Sequence, residues 1–202
     1  MERSSAAATS VRGGVLAALV VCVVLGFALR LAGIERVGFA EDEINKIEAV
    51  RAYEHGDISP NAEHPMLMKI LMYASMQLAH GWNARASAVD QISDEAALRF
   101  PNVLLGALTA IPLFLLTAAL FERRTALICA ALWSFGINAI TYNRIAKEDT
   151  LLVFFMLFAF YFYLRAKQTS AFESQRKRRY YALSGASFGL MMASKYFPHY
   201  FG

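Results

Sequence analysis

The sequence predicts an all-α protein, a polytopic bundle of about five membrane-crossing helices with two short interfacial helices in the first outer loop. Three observations predict this. Hydrophobic residues make up 57% of the 202 and come in long blocks rather than alternating with polar ones. Basic residues collect at the ends of those blocks, where topology signals sit. Acids collect elsewhere: 11 of the 16 fall in one polar segment, residues 33–99. A net charge of +4, spread over block ends, makes no nucleic-acid surface; membrane lipid is the expected surrounding and nucleic acid is not a partner. Cys22 and Cys129 both lie inside apolar runs, which argues against a disulfide framework or a thiolate metal site.

The first span is expected over residues 14–32. Its apolar run is at the upper limit for a signal-peptide core and no small-x-small cleavage site follows, so it reads as an uncleaved helix. Arg30 near its end can snorkel to the interface. The outer loop, 33–99, then holds two short helices. One covers 42–55 and stops at Gly56; Ile44, Ile47, Val50 and Tyr53 form its apolar stripe, while Glu43, Lys46, Arg51 and Glu54 point elsewhere. The other covers 66–80, opened by Pro65 and closed by Gly81. At its length, and carrying Lys69, it suits an interface better than a crossing. Four more spans are expected at 100–121, 125–142, 150–164 and 181–197. Pro101 suits a first helical turn, and Pro112 should kink the second span.

Charge orients the stack. With the N-terminus cytoplasmic, the inner segments carry Arg3, Arg12, Arg123, Arg124 and six more basic residues between Arg165 and Arg179. The short outer loop 143–149 carries only Arg144 and Lys147. The positive-inside preference therefore puts the N-terminus in and the acidic loop out. A chain that stops after the fifth span reads as the N-terminal part of something longer.

The polar clusters all fall at the outer ends of spans: Glu41-Asp42-Glu43, Glu63-His64-Pro65, Arg99, Arg144 with Lys147-Glu148-Asp149, and Lys195. Ionisable residues of both signs at one membrane face can converge on one site. Each also has a plainer reading. The acid triplet suits a helix start, Arg99 can snorkel, Glu63 and His64 suit an ordinary loop, Asp149 suits an N-cap, and Lys195 suits an interfacial anchor.

Taken in order, these stretches resemble the GT-C glycosyltransferases that use polyprenyl-phosphate sugars, above all the protein O-mannosyltransferases and the lipid A aminoarabinose transferase. Phe39-Ala40-Glu41-Asp42-Glu43 is similar to the family's acidic motif. His64-Pro65-Met66-Leu67-Met68-Lys69 resembles its His/Lys-Pro-Pro-Leu segment, with Met66 in place of the second proline. Ala97-Leu98-Arg99-Phe100-Pro101-Asn102 is similar to the Arg-Leu-Pro-Ser start of the second span. Residues 143–150 and 189–196 resemble the second outer loop and the end of the fifth span.

The resemblance implies an inverting transfer of a sugar from a polyprenyl-phosphate donor to a protein, lipid or glycan acceptor. It implies Asp42 as the catalytic acid, a base toward an acceptor hydroxyl or a ligand to a divalent cation, its pKa raised toward the working range by neighbouring carboxylates. Glu43 would bind or orient the acceptor. Arg99 would grip the carrier phosphate across a gap from Asp42, with His64, Lys195 and Arg144 as further phosphate contacts. Glu63 and Asp149 are the metal-ligand candidates, and a divalent metal is the one cofactor the resemblance admits. The expected location is a bacterial plasma membrane, with the active loop outside. Two other classes stay open: a non-catalytic scaffold or assembly subunit on the same frame, and a transporter fragment. A transporter would place charges near mid-bilayer, whereas here they sit at span ends.

Overall fold

The computed structural model describes residues 2–196, with side chains described from Gly13 onward. All regular structure among these residues is helical. In chain order the helices are α1 (Glu2–Leu31), α2 (Glu41–Glu54), α3 (Met66–Asn83), α4 (Asp94–Leu108), α5 (Ala110–Leu120), α6 (Arg123–Phe135), α7 (Ile137–Asn143), α8 (Glu148–Gln168) and α9 (Ser174–Ser194).

Three stretches are long and apolar enough to cross a membrane: Gly13–Leu31, Ala88–Leu120 through α4 and α5, and Glu148–Gln168. A fourth is the bent pair of α6 and α7, if the two count as one crossing. The expected fifth span, 181–197, overlaps α9, which is not among them. Its first two turns carry Arg176, Lys177, Arg178 and Arg179. Residues 180–194 that remain rise only about 22 Å, short of a hydrocarbon core of ~30 Å. Phe197, the expected end of that span, lies outside the described residues, as do the side chains of Arg3 and Arg12.

The second span begins earlier than its apolar block. Ser93 caps α4, its hydroxyl accepting from the Ala96 N–H at 3.2 Å, and Asp94 and Glu95 occupy the first turn, where the helix dipole favours them. Pro101 therefore sits well inside α4 rather than at its start. Its missing N–H frees the Ala97 carbonyl, and the Ser75 hydroxyl of α3 donates to that oxygen at 2.7 Å. The lost helix bond thus becomes a tie between α3 and α4. The sharp bend comes at Gly136, where α6 and α7 diverge by 55°, and not at Pro112. Gly136 has extended backbone, and a Cβ there would meet the Leu132 carbonyl oxygen.

Met68, Met72, Met76 and Ala79 form the inner stripe of α3 and pack with Ile47, Val50, Leu98 and Leu151 into the larger apolar core. A second core joins Leu19 of α1 to Ala110 of α5 and Ala130 of α6. The stripe expected for α2 is corrected by its packing. Ile47 and Val50 face inward as expected, but Glu43 and Lys46 are buried beside them while Ile44 is exposed. This helix is held by buried ionic groups and does not simply lay an apolar face on a membrane. Arg30 is corrected too: it does not snorkel, but is wholly buried in protein.

Candidate functional site

The acid triplet opens α2, and one turn of helix separates its members by function. Glu43 is the third residue of the helix and points inward, completely buried. Its Oε2 accepts from the Ala40 N–H at 2.8 Å, closing the helix start on itself, and its Oε1 accepts from the Ala146 N–H at 2.8 Å. Arg99 of α4 meets the same carboxylate as a fork, Nε to Oε1 at 2.9 Å and Nη2 to Oε2 at 2.6 Å. The remaining Arg99 N–H groups go to the carbonyls of Ile34 at 2.7 Å, Val37 at 2.8 Å and Gly38 at 2.8 Å. A guanidinium has five N–H donors, and these contacts use all five. Arg99 therefore faces Glu43 and not Asp42, and keeps no donor for a phosphate. Burial alone would raise the Glu43 pKa, yet the Arg99 fork and the Ala146 and Ala40 N–H groups outweigh it and hold the carboxyl below its ordinary value.

Asp42 points the other way, its side chain 56% exposed, and pairs with Lys147. It lines a polar cavity of about 160 Å³ together with Asn45, Lys46, Asn61, His64, Lys147, Glu148, Asp149 and Lys195. This cleft brings together Asp42, His64, Asp149 and Lys195 from the residues singled out by sequence. It leaves out four. Glu43 and Arg99 are spent on each other, Arg144 donates to the Gly33 carbonyl at 2.8 Å, and Glu63 accepts from Asn61 Nδ2 at 3.0 Å outside the lining.

The expected environment of Asp42 is reversed. Its neighbours are cations rather than acids, and the Lys147 hydrogen bond, helped by the charges of Lys46 and His64, holds its pKa below the ordinary value. Lys147 is raised in turn by the same bond. Asp149 is not the N-cap of α8, a place taken by Lys147, but its second residue. Its Oδ1 accepts from Lys195 Nζ at 2.6 Å.

At the floor of the cleft are charged groups to which the sequence reading gave no site role. Glu148 is nearly buried, 3.3 Å from Lys46 Nζ and 3.9 Å from His64 Nδ1. Lys69 is fully buried and donates to the Asn61 carbonyl, and desolvation lowers its pKa. The signal for these groups was present in part. Lys147 and Glu148 stand beside Asp149 in the sequence, and Lys69 is an ionisable residue within an apolar helix.

Cations and carboxylates alternate through the cleft, so each acid already meets an ammonium. Among the described residues no three His, Cys, Asp or Glu side chains gather as metal ligands. Glu63 and Asp149 sit with Asn61 and Lys195 rather than with each other.

Against the cleft runs a larger apolar groove of about 830 Å³, walled by α5, α6, α7 and α8. Leu113, Leu132, Trp133 and Val153 line it, and Lys147 and Asp149 line both groove and cleft. The volume is within the roughly 300–1,000 Å³ of small-ligand sites. The opposite ends of the helices carry the basic residues: α8 runs from Glu148 at the cleft to Arg165 and Lys167 about 30 Å away.

A protein-family model described as dolichyl-phosphate-mannose-protein mannosyltransferase matches residues 64–202. The matched stretch contains His64, Arg99, the 144–149 loop and Lys195, and begins after Asp42 and Glu43. Comparison with curated proteins and with solved structures gives no match.

Proposed function

The chain belongs to the dolichyl-phosphate-mannose-protein mannosyltransferase family, and on that footing we propose that it works in a membrane glycosyltransferase whose donor is a polyprenyl-phosphate sugar and whose acceptor is a hydroxyl of a protein, lipid or glycan. One observation carries the reading: a polar cleft and an apolar groove meet at Lys147 and Asp149. A ligand that is a charged head on a long hydrocarbon tail needs that junction. The prenyl chain lies in the groove, the phosphate comes to rest at Lys147, Lys195 and His64, and the sugar is presented to Asp42. The basic residues at the far helix ends favour placing this cleft on the outer face.

Transfer then needs a base and an electrostatic clamp. Asp42 takes the proton from the acceptor hydroxyl as its oxygen attacks the anomeric carbon. The bond from that carbon to the phosphate oxygen breaks, and the charge left on the lipid phosphate is met by the lysines. Attack from the face opposite the leaving group inverts the sugar. Lys147 serves both ends of this sequence. While it holds Asp42, the carboxylate is a weak base; an arriving phosphate competes for the ammonium, and Asp42 becomes more basic once the donor is seated. Glu43 and Arg99 act as scaffold in this scheme, holding Asp42 in place from behind.

The test is transfer from a polyprenyl-phosphate sugar in membranes bearing the protein, with protein and glycan acceptors assayed in parallel. Asp42→Asn is expected to lose about 10²–10⁴-fold in rate while the protein stays folded. Equal rates in the two proteins would remove Asp42 from the mechanism.

A further inference from the structure

We propose that Arg30, which lies outside the cleft, is the positioning residue that holds the apolar groove open by bracing both sides of the break between α6 and α7. In so far as the groove takes the prenyl chain of the donor, the inference rests on the functional reading above; the bracing itself does not.

Arg30 is fully buried in the last turn of α1, and none of the ion pairs among the described residues includes it. A buried cation with no carboxylate is costly in a membrane-crossing helix, so its neutral partners show what it is there to meet. Nη1 donates to the Ser134 carbonyl at 3.0 Å and to Gly26 of its own helix at 2.9 Å; Nη2 donates to the Trp133 carbonyl at 2.9 Å. In an unbroken helix, the Trp133 and Ser134 carbonyls would accept from residues 137 and 138. The extended Gly136 ends that pattern and orphans them. Arg30 supplies the missing donors, which a hydrocarbon surrounding cannot.

The same guanidinium reaches across the bend. Its Nε donates to Asn143 Oδ1, at the far end of α7, at 3.0 Å. Asn143 is pressed against α4 where Gly106 leaves room, since a Cβ at Gly106 would overlap its side chain. From Asn143 the chain of bonds continues: Nδ2 donates to Thr150 Oγ1 at 3.0 Å, and Asn102 donates to Thr150 and to the Lys147 carbonyl at 2.7 Å. Trp133, Gly136, Asn143, Lys147 and Thr150 all line the groove. Arg30 is thus fixed to both ends of the wall and, through Asn143, to the backbone of the cleft lysine. Without it, α6 and α7 recover their lost bonds by straightening, and the space between them and α8 closes.

Cys129 lines the groove and is free, which gives a readout independent of activity; Cys22, the other free cysteine, is buried on α1 and can be replaced by alanine. In the Cys22→Ala protein, the labelling rate of Cys129 by N-ethylmaleimide is compared with that of Arg30→Met and Arg30→Lys, with folding checked by protease resistance. Arg30→Met is expected to slow labelling about fivefold or more. Arg30→Lys, whose single ammonium cannot span both ends, is expected to fall between. It serves as the deciding variant if Arg30→Met does not fold. Unchanged labelling in either folded variant overturns the proposal. A separate arm adds polyprenyl phosphate to the Cys22→Ala protein, where protection of Cys129 is expected. Absence of protection would sink the donor-in-groove reading and leave the bracing role standing. With both in place, Arg30→Met raises KM about tenfold for a long-chain donor, against little change in kcat or for a short-chain donor.

Discussion

Asp42 and Glu43 are consecutive residues on one helix, each facing a cation, and the two pairs are built for opposite ends. Glu43 and Arg99 have no exposed carboxylate surface and no idle donor: every N–H of the guanidinium is engaged, and the carboxylate also receives two backbone N–H groups. Asp42 and Lys147 stand about 100° around the helix, the aspartate more than half exposed, on the wall of a cavity that also holds Lys195 and His64. Both are short-range acid–base pairs. What separates them is spare bonding capacity, since a group can act on a ligand only with a contact it has not already committed.

The contrast breaks most visibly at the buried pair. Glu43→Ala leaves the Arg99 guanidinium buried without its charge partner and is expected to cost about 3–5 kcal/mol, read as a collapse of thermal stability in detergent or lipid. Removing either partner should abolish activity through unfolding and not through chemistry. The exposed pair behaves differently. Lys147→Met should leave stability nearly unchanged and lower the transfer rate by about 10²-fold, because the leaving phosphate loses a cation. It should also move the acid limb of the pH–rate profile upward, since Asp42 returns toward its ordinary 3.8 once the hydrogen bond that depresses it is gone.

Acid sharpens the comparison from the other side. The Glu43 carboxyl is held below its ordinary 4.5. Its contribution to stability is whole above that value and disappears as the pH falls through the lower folded value. Urea or thermal titrations should show this acid limb in the natural protein and a flatter one in Glu43→Gln. The smallest effect is expected at the rim. Lys195→Ala removes a half-exposed partner of Asp149 and should change stability by no more than about 1 kcal/mol. It should weaken donor binding without moving the acid limb.

Much of this arrangement was legible in the chain itself. The helices of the outer loop and the gathering of charge at one end of the bundle follow from periodicity and composition, and Asp42, His64, Asp149 and Lys195 do share a cleft, whereas the start of α4 at Ser93, ahead of its apolar block, was not read. The inward turn of Glu43 was half legible: glutamate as the third residue of a helix can reach back to the helix start, but Ala40 lacks the hydroxyl that completes the usual pattern. What Arg99 and Arg30 do was not legible, because snorkelling and inward bracing call for the same residue near the same helix end. Only the neighbouring backbone decides between them, and in both cases it offered carbonyls left over from a turn or a break. The break at Gly136 carried more weight than the proline at position 112. A helix can lose one N–H and continue, whereas an extended residue ends it.

The bond from the Ala146 N–H to Glu43 has one further consequence. It sews the stretch of chain just before Lys147 to the helix that bears Asp42, so the two jaws of the cleft are joined through Ala146 and Glu43 as well as by the Asp42–Lys147 pair. On the functional reading proposed above, a lipid-borne sugar would reach that joined cleft along the apolar groove that shares Lys147 and Asp149 with it.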